Sequence, residues 1–187
     1  MRAHVHPIEQ ESFAILRSQV DLAHLPPLSR AVVERVVHSS ADLDFVDDLV
    51  LDEVALGRGL AALRSGVPVV ADVQMVAAGI TTVDAVCCIR EATASGSRTR
   101  SAAAIQMAFE RVGPGAVYVI GCAPTALFEI VEGCYEPALV IGLPVGFVGA
   151  AESKAALRES GLPALSNVSA KGGSAVAAAA LNALLYS

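Results

Sequence analysis

Along the first third of the chain, apolar residues recur with helical spacing. From Pro7 onward, Ile8, Phe13, Leu16 and Val20 fall on or near one face. Proline suits a first helical turn, where its missing N–H has no partner to lose. From about Leu28, the residues Val32, Val33, Val36 and Val37 form i, i+4 pairs. That run ends at His38-Ser39-Ser40, where small polar side chains compete for the backbone. A third helix is predicted over 47–64, closed by Gly66.

Beyond Gly66 the pattern changes to five short, mostly branched apolar runs, at 67–71, 85–89, 116–120, 138–141 and 164–168. Helical stretches at 100–111, 125–132, 152–159 and 174–184 separate most of them. Continuous apolar strands alternating with helices predict a parallel sheet covered on both faces. The predicted class is therefore α/β and three-layered: a five-stranded parallel sheet with an N-terminal helical segment, in one domain over 1–187.

Charge narrows the function. With 13 Lys+Arg against 19 Asp+Glu, the net charge is −6, so no cation excess exists to neutralise a nucleic acid backbone. An apolar fraction of 54% excludes disorder, while 17% charged residues are few for covering a domain surface. Burial of apolar surface against a second subunit is the expectation. No uncharged stretch, 137–151 and 172–187 among them, reaches the ~20 residues that cross a bilayer. Residues 1–10 carry charges and a proline but no apolar signal core, which predicts a cytoplasmic protein without membrane partners. Cys87 and Cys88 are adjacent and Cys122 and Cys134 twelve apart, which suits neither a zinc site nor a disulfide scaffold. Buried thiols are expected. His4 and His6 offer at most a weak metal site on a terminus expected to fray.

In a parallel sheet, chemistry gathers where strands end. Asp72 and Gln74 follow the first run, and Arg90 with the 95–100 loop follows the second. Residues 121–125, 142–146 and 169–174 follow the others. Glycines, hydroxyls and cations near helix N-termini are suited to holding anions. The dinucleotide fingerprint, the Walker loop and G-x-S-x-G are all absent. Of four histidines, only His38 lies well inside a structured region, at a helix C-terminus whose dipole favours an imidazolium. It is the candidate proton donor. Eleven of the thirteen cations are arginine, with Arg98 and Arg100 in one strand-end loop and Lys171 in another. Arginine forks suit carboxylates; the pattern points to a polycarboxylate ligand, and phosphate fits it equally well.

Several segments together resemble a known family. They are Ser12-Phe13-Ala14-Ile15-Leu16-Arg17, Val36-Val37-His38-Ser39, Asp72-Val73-Gln74-Met75-Val76 and Thr99-Arg100-Ser101-Ala102-Ala103. Ile120-Gly121-x-Ala123-Pro124-Thr125, Gly142-x-Pro144-Val145-Gly146-Phe147-Val148-Gly149-Ala150-Ala151-Glu152-Ser153-Lys154 and Lys171-Gly172-Gly173-Ser174 complete the set. Over nearly the whole chain these segments resemble the precorrin-8X methylmutases of cobalamin synthesis. The resemblance implies a flavodoxin-like fold, a homodimer with its two sites at the subunit interface, and no redox or metal cofactor. It implies an isomerisation in which a methyl group moves from C11 to C12 of a corrin-type macrocycle. The catalytic histidine of the family falls on His38 and a substrate-contacting serine on Ser12. The polar and basic substrate shell falls on Arg17, Thr81, Thr99, Arg100, Thr125 and Lys171. Four positions depart from the family pattern: Glu11, Arg98, Cys122 and Ala170. They leave a second reading open, a relative that binds a corrinoid or another polycarboxylate without the usual turnover.

Overall fold

The computed structural model describes residues 6–187, so His4 of the H-x-H pair lies outside the described residues. Among these residues the N-terminal part forms α1 (Pro7–Gln19), α2 (Pro27–Ser40), α3 (Phe45–Asp48), β1 (Leu49–Val50) and α4 (Glu53–Arg64). There follow β2 (Val69–Ala71), α5 (Gln74–Gly79), β3 (Ala85–Val86), α6 (Arg100–Val112), β4 (Val117–Ile120) and α7 (Pro124–Glu132). The chain closes with β5 (Leu139–Gly142), α8 (Ala150–Glu159), β6 (Ala164–Asn167) and α9 (Ser174–Leu185).

The sheet order is β1-β6-β5-β4-β2-β3. Strands β2 to β6 are parallel, and β1 runs antiparallel along β6. Counted alone in chain order, the parallel strands run 2-1-3-4-5, the flavodoxin-like arrangement. The expected five-stranded sheet thus gains a sixth, antiparallel edge strand. The expected helix over 47–64 is correspondingly divided. Leu49 and Val50 pair with Asn167 and Ser166, and Asp52 then caps a new helix by accepting from the N–H groups of Val54 and Ala55. The run at 85–89 pairs with β2 only over Ala85 and Val86, because it is the outer strand with a neighbour on one side. Helix α5 was not anticipated.

Side chains alternate across the strands and build two cores. Val69, Ala71, Val117, Val119, Leu139 and Ile141 pack with α2, α4, α5 and α9. Val70, Tyr118, Ile120 and Val140 face α6, α7 and α8. Each valine, leucine and isoleucine among them stabilises the fold by ~1.5–3 kcal/mol on burial. Helix α9 is buried on every side from Val176 to Leu184, packed between the sheet and α2. The uncharged C-terminal stretch is therefore buried within one protomer. Apolar side chains remain exposed beyond the strand ends: Met75 in α5 and Val148 in the loop after β5 are largely exposed and Phe147 fully so. No helix among the described residues is long and apolar enough to cross a membrane.

Candidate active site

Helix α2 rests its valine face on α9 and carries His38 in its last turn. Helix α1 lies against α2 and brings Ser12 to it, with Ser12 Oγ 2.8 Å from His38 Nδ1. That contact engages one ring nitrogen and leaves Nε2 for a reacting group. Phe13 stacks on the imidazole, centroids 4.8 Å apart and planes 18° from parallel. Ser12 and His38 line an open cavity of about 290 Å³ whose other walls include Ile15, Leu16, Val37 and Leu43. The arrangement fixes one imidazole against an aliphatic wall.

Arg35, one turn before His38, was not singled out by sequence reasoning. Its guanidinium lies 5.0 Å from the ring centroids of both Phe13 and Tyr186, and it pairs with Glu9 at 2.6 Å. The i, i+3 spacing of Arg35 and His38 on one helix was the available signal. Arg17 forms a two-pronged pair with Glu34, Nε to Oε1 at 2.8 Å and Nη2 to Oε2 at 2.7 Å, and the Glu34 bond raises its pKa. It lines a different open depression, of about 640 Å³, with Arg30 and Glu34.

The remaining predicted residues lie in three other places. Thr99 caps α6 by accepting from the Ala102 N–H, and its hydroxyl is 2.7 Å from that of Thr125. This pair lines a second cavity of about 290 Å³ with Phe128 and Arg98. Arg98 is held by Glu129 at 3.4 Å and by Gln106. Arg100, exposed at the start of α6, has no ion-pair partner among the described residues. The Thr81 hydroxyl meets that of Tyr186, and its N–H donates to Asn182 at 3.3 Å. Lys171 reaches Asp42 at 2.8 Å and Asp44 at 2.5 Å, just beyond the end of α2. Hydrogen bonding to these aspartates raises the Lys171 pKa and lowers that of Asp42.

Two buried charges support the strand-end loops. Lys154 on α8 is fully buried and donates to Pro144 O at 3.2 Å, Asn167 Oδ1 at 2.8 Å and Lys171 O at 2.6 Å. Burial pushes its pKa down to about 8. The loops after β5 and β6 are also joined by Gly173 N–H to Leu143 O at 2.9 Å. They approach so closely that a Cβ on Gly172 would sit 2.3 Å from Leu143 O. Asp72, after β2, is the second buried charge; both its oxygens accept backbone N–H groups from the turn after β4. The thiols depart from expectation: Cys88 is buried and Cys87 half-buried, but Cys122 and Cys134 are exposed. Cys122 lies in that same strand-end turn, on its exposed side. Among the described residues, no group of three or more His, Cys, Asp or Glu side chains is placed to hold a metal ion.

The family model described as Precorrin-8X methylmutase matches residues 7–187. A precorrin-8X methylmutase of Pseudomonas aeruginosa is 41% identical, with 95% of this chain and 93% of that protein covered. A cobalt-precorrin-8 methylmutase of Salmonella typhimurium is 39% identical, with 96% and 93% covered. The crystal structure of a precorrin-8x methyl mutase from Thermus thermophilus superposes with a TM-score of 0.86 at 34% identity, covering 97% of this chain and 96% of that one.

Proposed function

The chain belongs to the precorrin-8X methylmutase family, and we propose that it moves a methyl group from C11 to C12 of precorrin-8X or its cobalt counterpart, with His38 as the acid. The observation that carries this reading is the pair Ser12–His38, hydrogen-bonded at 2.8 Å beside an aliphatic cavity. A methyl shift within a conjugated ring needs no nucleophile and no hydride carrier. It needs a proton placed on the ring to polarise it and a pocket that fixes the macrocycle. With Nδ1 bonded to Ser12, the imidazolium presents its Nε2 proton in one direction. Such general acid catalysis supplies ~10²–10⁴-fold, and a preorganised, water-poor pocket supplies the rest.

The substrate partner is a large, mostly apolar disc fringed by carboxylates. Arg100 and the Thr99–Thr125 hydroxyls are suited to those carboxylates, and the exposed Phe147, Val148 and Met75 to the apolar face or to a second subunit. Ligand pockets for even drug-sized molecules occupy ~300–1,000 Å³, so neither cavity of about 290 Å³ holds a tetrapyrrole alone. A homodimer whose partner completes each site would supply the missing walls.

The test is conversion of precorrin-8X by the purified protein, followed in the visible spectrum. His38→Ala should lose most turnover yet still bind product, because the carboxylate contacts come from other residues. A His38→Ala protein that turns over normally would remove His38 from the chemistry. One observation favours the second reading: the Lys171 cation is already engaged by Asp42 and Asp44. A wild-type protein that binds the macrocycle without converting it would establish that reading instead.

A further inference from the structure

We propose that Asp72 takes the place of a ligand anion at the switch point of the sheet, and that by doing so it positions Thr125 and Thr99; this second half rests on the methylmutase reading. Strands β2 and β4 are neighbours, yet the chain leaves β2 toward β3 on one side and reaches β4 on the other. Ligands of doubly wound folds bind in the crevice that opens at such a reversal.

Here the crevice has the equipment for an anion. The turn Gly121-Cys122-Ala123 leads into the nine-residue helix α7, and its three successive N–H groups converge. Converging N–H groups at a helix N-terminus attract negative charge. Asp72 takes all three: Oδ1 accepts from Gly121 at 3.1 Å, and Oδ2 from Cys122 at 2.8 Å and Ala123 at 2.9 Å. The side chain is fully buried, and no cation acts on it. Burial pushes the carboxyl above the ordinary range, against the N–H bonds from Ala123, Gly121, Cys122 and Val73. A carboxylate without water or counter-charge persists only where aimed dipoles replace its solvation.

Turn and carboxylate therefore depend on each other. The turn packs closely on α5 and α9, with no room for a side chain at position 121: a Cβ built there would lie 2.8 Å from Val76 and 2.9 Å from both Ala177 and Ser174. Thr125 follows Ala123 by two residues, in the first turn of α7, and its hydroxyl meets Thr99 at 2.7 Å. Without the internal anion, the start of α7 loosens and the threonine pair loses its register. Asp72 is thus a positioning residue, and it occupies the Gly121, Cys122 and Ala123 N–H groups that an external carboxylate or phosphate would otherwise take.

Chemical rescue tests this. Asp72→Ala removes the carboxyl group and leaves room for formate, while Asp72→Gly leaves room for acetate. In thermal unfolding, formate should raise the Tm of Asp72→Ala saturably, and acetate that of Asp72→Gly. Chloride at equal ionic strength should do neither, and the wild type should not respond. If Asp72→Ala is insoluble, refolding from urea should recover it in formate and not in chloride. Recovery in neither, or a folded variant blind to formate, overturns the anion replacement. In turnover of precorrin-8X, Asp72→Ala should lose about tenfold or more in kcat/KM, in line with the effect of small misplacements, and formate should restore it. Stabilisation by formate without recovery of turnover overturns the positioning role. A wild-type protein inactive on precorrin-8X counts against the methylmutase reading alone, and the unfolding experiment still decides for or against Asp72.

Discussion

Helix α1 brings Ser12 and Phe13 to His38 with a single buried side chain of its own, Leu16. The loops after β4, β5 and β6 are tied instead to two fully buried charges, Asp72 and Lys154. On α1 the ties are side chain to side chain: Arg17 to Glu34, Glu9 to Arg35, and Phe13 to the imidazole. Arg17 in its pair is 60% exposed, so water and salt compete for it. In the loops, Lys154 and Asp72 bind mainly backbone groups, which cannot rotate away. The lesson is a division of rigidity. The strand-end loops are set by buried charges in the core, while α1, which carries the hydrogen-bond partner of His38, is held by contacts between side chains.

Four experiments press on that contrast. The largest effect should come from Lys154→Ala, which leaves Pro144 O, Asn167 Oδ1 and Lys171 O without their donor. A loss of about 3–5 kcal/mol in urea unfolding is expected, from the cavity and the stranded acceptors; a loss under 1 kcal/mol (~0.5 or so, as at ordinary surface sites) would erase the distinction. The second effect is a pH dependence. Lys154 titrates at about 8 when folded against 10.5 in its ordinary state. Between these values the unfolded chain holds the extra proton, so stability rises with pH across that window and is flat outside it. The wild type minus Lys154→Met difference should therefore grow by about 3 kcal/mol across it, and pH-independent differences would refute the buried charge.

On the α1 side, Phe13→Leu should lower kcat about tenfold, ~1.4 kcal/mol, with KM little changed, since only the orientation of the acid suffers. An effect on KM alone would move Phe13 from orienting His38 to contacting substrate. The smallest effect belongs to Glu34→Gln. Losing the Arg17 pair should cost below about 1 kcal/mol and less still in high salt; a larger, salt-independent loss in melting experiments would place α1 with the rigid loops.

Legibility followed how local the cause was. The parallel strands and α6 to α9 were readable because their burial pattern comes from periodicity alone. The place of His38 in the last turn of α2 was readable because a helix visibly ends there. The division of 47–64 was not, since β1 exists only through its pairing with β6 more than a hundred residues on. Arg17 and Lys171 looked like ligands for an anion, yet Glu34, Asp42 and Asp44 already meet them. No spacing rule connects those partners. Few charges raised the expectation of a subunit interface, yet the uncharged tail is covered by α2 and the sheet within the protomer.

By itself the amino-acid order determined the alternation of strands and helices, the lone candidate acid and the absence of the common nucleotide and hydrolase motifs. These are properties of neighbours along the chain, set by side-chain period and backbone preference. Only the tertiary structure decided which charges face solvent and which are already satisfied. It placed Asp72 in the Gly121–Ala123 turn 49 to 51 residues later and Lys154 beneath two separate loops. The reason is physical: an ionised group is stable out of water only where dipoles converge on it, and convergence is a property of packed segments that are distant in the chain.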